Sequence, residues 1–337
     1  MDIDADAAEL STNPRGGFFS SRLFAVVRVA ASLAILAGLV FKLSPRELSS
    51  TFRGADLLLL LATLGLMGIV QALVVVKWAV LLRARGVHAP AVQVIRSYCV
   101  GNLLSTVLPT AVGGDVYRVY RIQREAAARA SDVTMSVLYE RATGYGAMTC
   151  LGALGAAFYY GNAVVGLLAL AAGACAALVL AFVLPRFPFP AVRQDHFLRN
   201  LLAHRRELLA VYQMTILSII IQALYISTIA ITGRAFGAHL SWWYWAFVTW
   251  IVAMAVLLPT LGGLGIRESS FAALVKHAGG TAAQGASTGL ALGLLVVLVN
   301  AAGLLLVEVA ERRGPGVASE AGTLASPTRE PAPAERI

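Results

Sequence analysis

Apolar residues in this chain come in runs too long and too unbroken for one face of a water-soluble helix. Four runs, at about 22–43, 57–82, 163–184 and 284–310, approach the roughly 20 apolar residues that a helix needs to cross a bilayer. Two more, at about 132–160 and 207–233, carry scattered polar residues but are long enough. The stretches at about 91–122 and 242–277 differ, because a proline and paired glycines interrupt each near its middle. Proline breaks the helical ladder and glycine eases the turn that follows, so each stretch is expected to form a helical hairpin. The pattern predicts an all-α polytopic membrane protein with about six transmembrane helices and two Pro/Gly-broken hairpins.

The two interruptions are related. LPTAVGGDVYR runs from Leu108 to Arg118 and LPTLGGLGIRE from Leu258 to Glu268, which puts Pro109 and Pro259 150 residues apart. The chain therefore carries one unit twice: a first membrane repeat over 21–162 and a second over 163–312. In lipid, backbone groups freed by a broken helix are tolerated only inside protein or beside a wet cavity. Broken helices at matching positions of two halves are the sequence pointer to a transporter's binding site.

Charge decides how the hairpins lie. With both re-entrant, most arginines of the short connections fall on the side of the N-terminus, leaving Lys42, Arg46, Arg53, Arg234, Arg267 and Lys276 opposite. That asymmetry exceeds the one obtained when the hairpins cross, and the side rich in Lys and Arg is cytoplasmic. Three crossings per half then invert the second repeat relative to the first. Both termini are expected in the cytoplasm, and the protein in the plasma (inner) membrane.

Composition narrows the function classes. Charged residues are only 13% of the chain and hydrophobic ones 58%, with a mean hydropathy of +0.75, whereas an ordinary soluble domain is about 25% charged. The net charge of +9 lies in short loops between apolar spans, which argues for topology and against nucleic-acid binding. Cys99, Cys150 and Cys175 all sit in apolar segments without metal-ligand spacing and read as packing residues. Neither a metal nor a cofactor is expected.

Asn102, the run from Pro109 through Gly113, Gly114 and Asp115 to Arg118, the intramembrane Glu140-Arg141 pair followed by Gly144, and the late Pro259, Gly262, Gly263, Gly265, Arg267 and Glu268 together resemble the lysylphosphatidylglycerol synthase transmembrane-region family. The resemblance covers about 20–312 and is carried most specifically by the second motif. It implies a lipid flippase for aminoacylated phosphatidylglycerol or another lipid-linked headgroup. After Arg313 the sequence continues only as a Gly-, Pro-, Ala- and Ser-containing tail, so the aminoacyl-transferase of the fused family members is not expected here.

From the residues themselves, Gly113 and Gly114 are expected at positive φ, and the half-helix beyond them would offer a lipid phosphate its positive end. Gly262 and Gly263 of the second hairpin are expected in the same substrate-binding set, with Pro109, Pro259 and Gly265 as structural hinges. Arg118 and Arg267 would contact phosphate; Asp115 and Glu268 would balance them or bind an amine headgroup. Asp115 as a helix cap and the arginines as interfacial residues are the plainer reading. Glu140 and Arg141 lie about 12 to 14 Å past Asp132 at 1.5 Å per residue, where a lone charge needs a partner. Arg141 binding phosphate while Glu140 holds a hairpin arginine or a proton is one reading, and an interhelical polar clamp is the other. Asn102 completes this substrate-binding set.

Arg28 and Lys77 read as snorkelling side chains, Asn300 as an amide seeking a helix partner, and Trp242, Trp243, Tyr244, Trp245 and Trp250 as an interfacial aromatic belt. The loop over about 186–206 reads as an amphipathic segment on the anionic leaflet, and 1–20 and 313–337 as disordered tails. The first apolar run is longer than a signal-peptide core and reads as an anchor. Two competing classes stand beside the flippase reading: a non-transporting accessory subunit of a lipid, hopanoid or lipid-linked glycan pathway, partnered by a lipid synthase or glycosyltransferase, or a membrane-embedded glycosyl- or phosphotransferase using Asp115, Glu140 and Glu268, although no metal motif is present. A membrane phospholipid or lipid-linked substrate is the expected partner, with self-association left open.

Overall fold

A computed structural model describes residues 45–107, 113–171, 205–256 and 263–313. Pro109, Pro259 and Gly262, the first apolar run, the interfacial loop and the tails lie outside these residues. All regular structure among the described residues is helical: α1 (Pro45–Arg53), α2 (Leu57–Ala84), α3 (Ala91–Val107), α4 (Gly113–Glu125), α5 (Ala130–Tyr160), α6 over 163–171, α7 (Arg205–Ala235), α8 (Trp242–Val256), α9 (Ile266–His277) and α10 (Ala282–Arg313). The protein is an all-α polytopic membrane protein.

Among the described residues three stretches are long and apolar enough to cross a bilayer, Leu57–Ala84, Tyr212–Ala235 and Ala282–Arg312. Their outward faces carry bare Leu58, Leu61, Ile69, Ile216, Leu298 and Leu305, an arrangement that is costly in water and natural against lipid. Local chemistry fixes where α2 begins: the Asp56 carboxylate accepts from the N–H groups of Leu58 and Leu59 at 2.9 and 3.1 Å, capping the helix. Gly161, at φ +62°, ends α5 in the left-handed conformation that glycine adopts without strain.

Both interrupted segments are hairpins of short helices. α3 and α4 hold 17 and 13 residues, α8 and α9 hold 15 and 12, and at about 1.5 Å per residue none spans a hydrocarbon core of about 30 Å. The pairs are antiparallel: Val94 packs with Ile122 while Ser105 meets Gly114, and the Tyr244 hydroxyl donates to the Leu274 carbonyl while Val256 meets Gly263. Around the second hairpin lies the larger core, built on Trp245, Tyr244, Phe271, Met148 and Ile229.

That core corrects the aromatic-belt reading. Tyr244 and Trp245 are fully buried and Trp250 nearly so, leaving Trp243 as the exposed ring of the cluster. Trp245 fills a notch at Gly233, where a Cβ would stand 2.2 Å from the ring, and Trp250 fills another at Gly152. A similar economy places α9 against α10: Gly285, Gly289 and Gly293 face it, and a Cβ on Gly285 would stand 2.3 Å from the Phe271 carbonyl oxygen. Small residues at four-residue spacing allow this backbone approach in membrane helices.

Candidate functional site

A cavity of about 420 Å³ opens between the two hairpins and helices α2, α5, α7 and α10. Its size is that of a small-molecule site. Met67, Val70, Ile221, Ile229 and Val252 give it apolar walls, and Lys77, Glu140, Arg141 and Arg267 bring charge into it. Both halves of the chain contribute.

Hairpin one meets α5 through two crossed ion pairs. Arg118 donates to the Glu140 carboxylate and, at 3.2 Å, to Asp115. Arg141 answers in the other direction, with Nε and Nη2 donating to the two oxygens of Asp115 at 3.1 and 3.0 Å. The logic is helical: Asp115 and Arg118 are three residues apart and share a face of α4, while Glu140 and Arg141 are neighbours that diverge by about 100° around α5. Each α5 charge thus takes a different partner.

Arg118 is 1% exposed and its guanidinium carbon lies 4.0 Å from the Trp78 ring centre and 4.7 Å from that of Tyr98. Cation–π contact and charge pairing together hold it in place. It does not line the cavity. The sequence pointed to Arg118 as a phosphate ligand; the structure makes it a bolt joining α4 to α2, α3 and α5 behind the cavity wall. Arg141, with 41% of its side chain exposed, lines the space together with the more buried Glu140.

The glycines of the two motifs serve different ends. Gly114 is helical, not turned, and its hydrogen is needed because a Cβ would fall 2.0 Å from the Gly101 carbonyl oxygen and 2.1 Å from Ser105 Oγ. Gly113 is the first residue of α4. In the second motif Gly263 and Gly265 do take positive φ, +77° and +84°. The anion received at that helix start is the protein's own: Glu268, fully buried, accepts from the Gly265 N–H at 2.7 Å and from Arg267 Nε and Nη2 at 3.0 and 2.6 Å. Arg267 lines the cavity opposite Arg141's helix, with its guanidinium against Gly293 of α10.

Asn102 lines the cavity and donates to the Asn300 side chain at 3.3 Å, linking α3 to α10. Lys77 departs from its snorkelling assignment. It is 3% exposed, and its ammonium turns inward to donate to the Glu140 carbonyl at 2.9 Å. Gln222 of α7 donates to the Gly144 carbonyl at 3.3 Å on the same face of α5. Sequence reasoning passed over Gln222, Gln71, Tyr145 and Tyr225, which also line the space; isolated polar residues inside spans 57–82, 132–160 and 207–233 were the available signal.

Two comparisons found nothing and one found a family: no curated protein and no solved structure matches the chain significantly. The family model described as "Lysylphosphatidylglycerol synthase TM region" matches residues 26–303, a stretch that contains both hairpins and every residue of the cavity.

Proposed function

The chain belongs to the lysylphosphatidylglycerol synthase transmembrane-region family, and from that premise we propose that this membrane protein is a lipid translocase and not an enzyme. Its cargo would be a phospholipid or lipid-linked headgroup, with aminoacylated phosphatidylglycerol among the candidates. The observation that carries the reading is the cavity itself: it draws Arg141 from the first repeat and Arg267 from the second hairpin to one apolar-walled space. Ionisable groups at membrane depth are costly and mark substrate paths. A site at the meeting of two broken-helix elements is the arrangement that alternating access uses. Placement in the inner membrane with cytoplasmic termini, and association with a lipid synthase or with a second copy, belong to the same proposal.

The test is reconstitution into liposomes of phosphatidylcholine and phosphatidylglycerol carrying a trace of headgroup-labelled lipid, with dithionite quenching of the outer leaflet. A translocase exposes the inner-leaflet label faster than protein-free vesicles do, and the Arg141→Ala and Arg267→Ala proteins, folded to the same extent, do so more slowly. Quenching at the protein-free rate would leave the accessory reading standing. A new lipid species by mass spectrometry would establish an enzyme instead.

A further inference from the structure

Charges in and directly behind the cavity wall do not balance. Among the described residues the cations there are Lys77, Arg118, Arg141 and Arg267, and the carboxylates are Asp115, Glu140 and Glu268. Each arginine has a carboxylate: Arg118 has Glu140, Arg141 has Asp115, Arg267 has Glu268. The surplus is one positive charge, and we count it on Lys77: the Glu140 carboxylate near it is already held by Arg118, and its own hydrogen bond is to a neutral backbone carbonyl. An ammonium has three donors, so two remain for a ligand. The side chain is almost wholly buried and lines the cavity, and a buried charge calls for a counter-charge.

We propose that Lys77 is the substrate's anion ligand, and that the cargo is a lipid whose headgroup carries one net negative charge, a single phosphodiester. The proposal rests on the cavity being the lipid site. It narrows that reading, because a phosphodiester neutralises the cluster whereas a lysyl-esterified headgroup, bearing two ammonium groups, would add positive charge to it. Gln222 and Tyr145 stand on the same walls as neutral partners for the glycerol or sugar hydroxyls beyond the phosphate. A flexible point charge suits one phosphate oxygen that must be released again, where a guanidinium fork would hold it bidentately.

Two measurements on the full-length protein in nanodiscs and liposomes keep the outcomes apart. Binding of short-chain phosphatidylglycerol, phosphatidylcholine and lysylphosphatidylglycerol is measured by native mass spectrometry for wild type, Lys77→Met and Lys77→Arg, and flipping of labelled phosphatidylglycerol is measured alongside. The expected result is a preference of wild type for phosphatidylglycerol, a loss of at least about tenfold in Lys77→Met, and retention of the preference in Lys77→Arg. Equal binding by wild type and Lys77→Met, or a wild-type preference for the lysylated lipid, overturns the assignment even if flipping is intact. Binding that follows the expected order without flipping upholds Lys77 and removes the translocase. Absence of lipid binding by wild type overturns both. If Lys77→Met fails to fold, Lys77→Gln in the same series decides.

Discussion

Replacing Glu140 by Gln removes the charge that faces Arg118 while leaving its shape. The pair is buried, with side-chain exposures of 1% and 8%, and removing one member of a buried pair typically costs about 3–5 kcal/mol because the other is left uncompensated. Here Asp115, although it also serves Arg141, still touches Arg118 at 3.2 Å and leaves it partly compensated, so a loss near the lower end, about 3 kcal/mol, is expected. The Arg118→Met/Glu140→Gln protein removes both charges, keeps apolar volume against Trp78 and Tyr98, and leaves the Asp115–Arg141 pair whole. It should be more stable than the sum of the single losses predicts, by about 2 kcal/mol. Reversible unfolding in dodecyl maltoside titrated with sodium dodecyl sulfate, followed by tryptophan fluorescence, gives all four corners of the cycle. Additivity within about 0.5 kcal/mol would refute the crossed-pair account and mean that the aromatic rings and Asp115 suffice for Arg118.

Two further outcomes follow from the glycine contacts. Gly114→Ala should destabilise by about 1–3 kcal/mol through overpacking, since its methyl would meet the Gly101 backbone at 2.0 Å, whereas Gly65→Ala, with open space around it, should change stability by less than about 0.5 kcal/mol; the same detergent titration reads both, and equal effects would sink the close-approach argument. Gly293→Ala should fold normally, because the atoms nearest its methyl are the flexible end of Arg267, the closest 2.3 Å away; displacing that guanidinium should weaken phosphatidylglycerol binding about tenfold, the worth of one charge-assisted contact, and unchanged binding would place Arg267 outside the lipid's reach.

The sequence made the hairpins legible because breaking a helix in lipid takes residues with unmistakable backbone properties, and the same Pro-Gly-Gly pattern occurs twice. It also made the Glu140–Arg141 pair legible as a constellation needing partners, since charge at that depth is rare. Which arginine faces the cavity was not legible. Arg118 and Arg267 occupy similar places in their motifs, but the face of α4 that packs on Trp78 and Tyr98 is set by tertiary contacts between segments distant in sequence. Lys77 was misjudged for a related reason: distance from a helix end suggests reach to the interface, while the actual direction of the side chain is decided by the neighbouring α5 carbonyl. The aromatic cluster failed likewise, because belt and core aromatics have identical composition and differ only in whether a glycine notch lies opposite.

The two hairpins differ in where their counter-charges sit. Arg118 is neutralised by Glu140 on another helix, whereas Arg267 is neutralised by its own neighbour, Glu268. Moving a unit charge through the membrane field involves about 2.3 kcal/mol per 100 mV. A shift of the second hairpin transports its pair together and so performs almost no electrical work. A shift of the first carries Arg118 and Asp115 together, again with no net charge, but it breaks both crossed pairs with α5. A resting potential therefore has little hold on the second hairpin, and its position is left to packing and to whatever occupies the cavity.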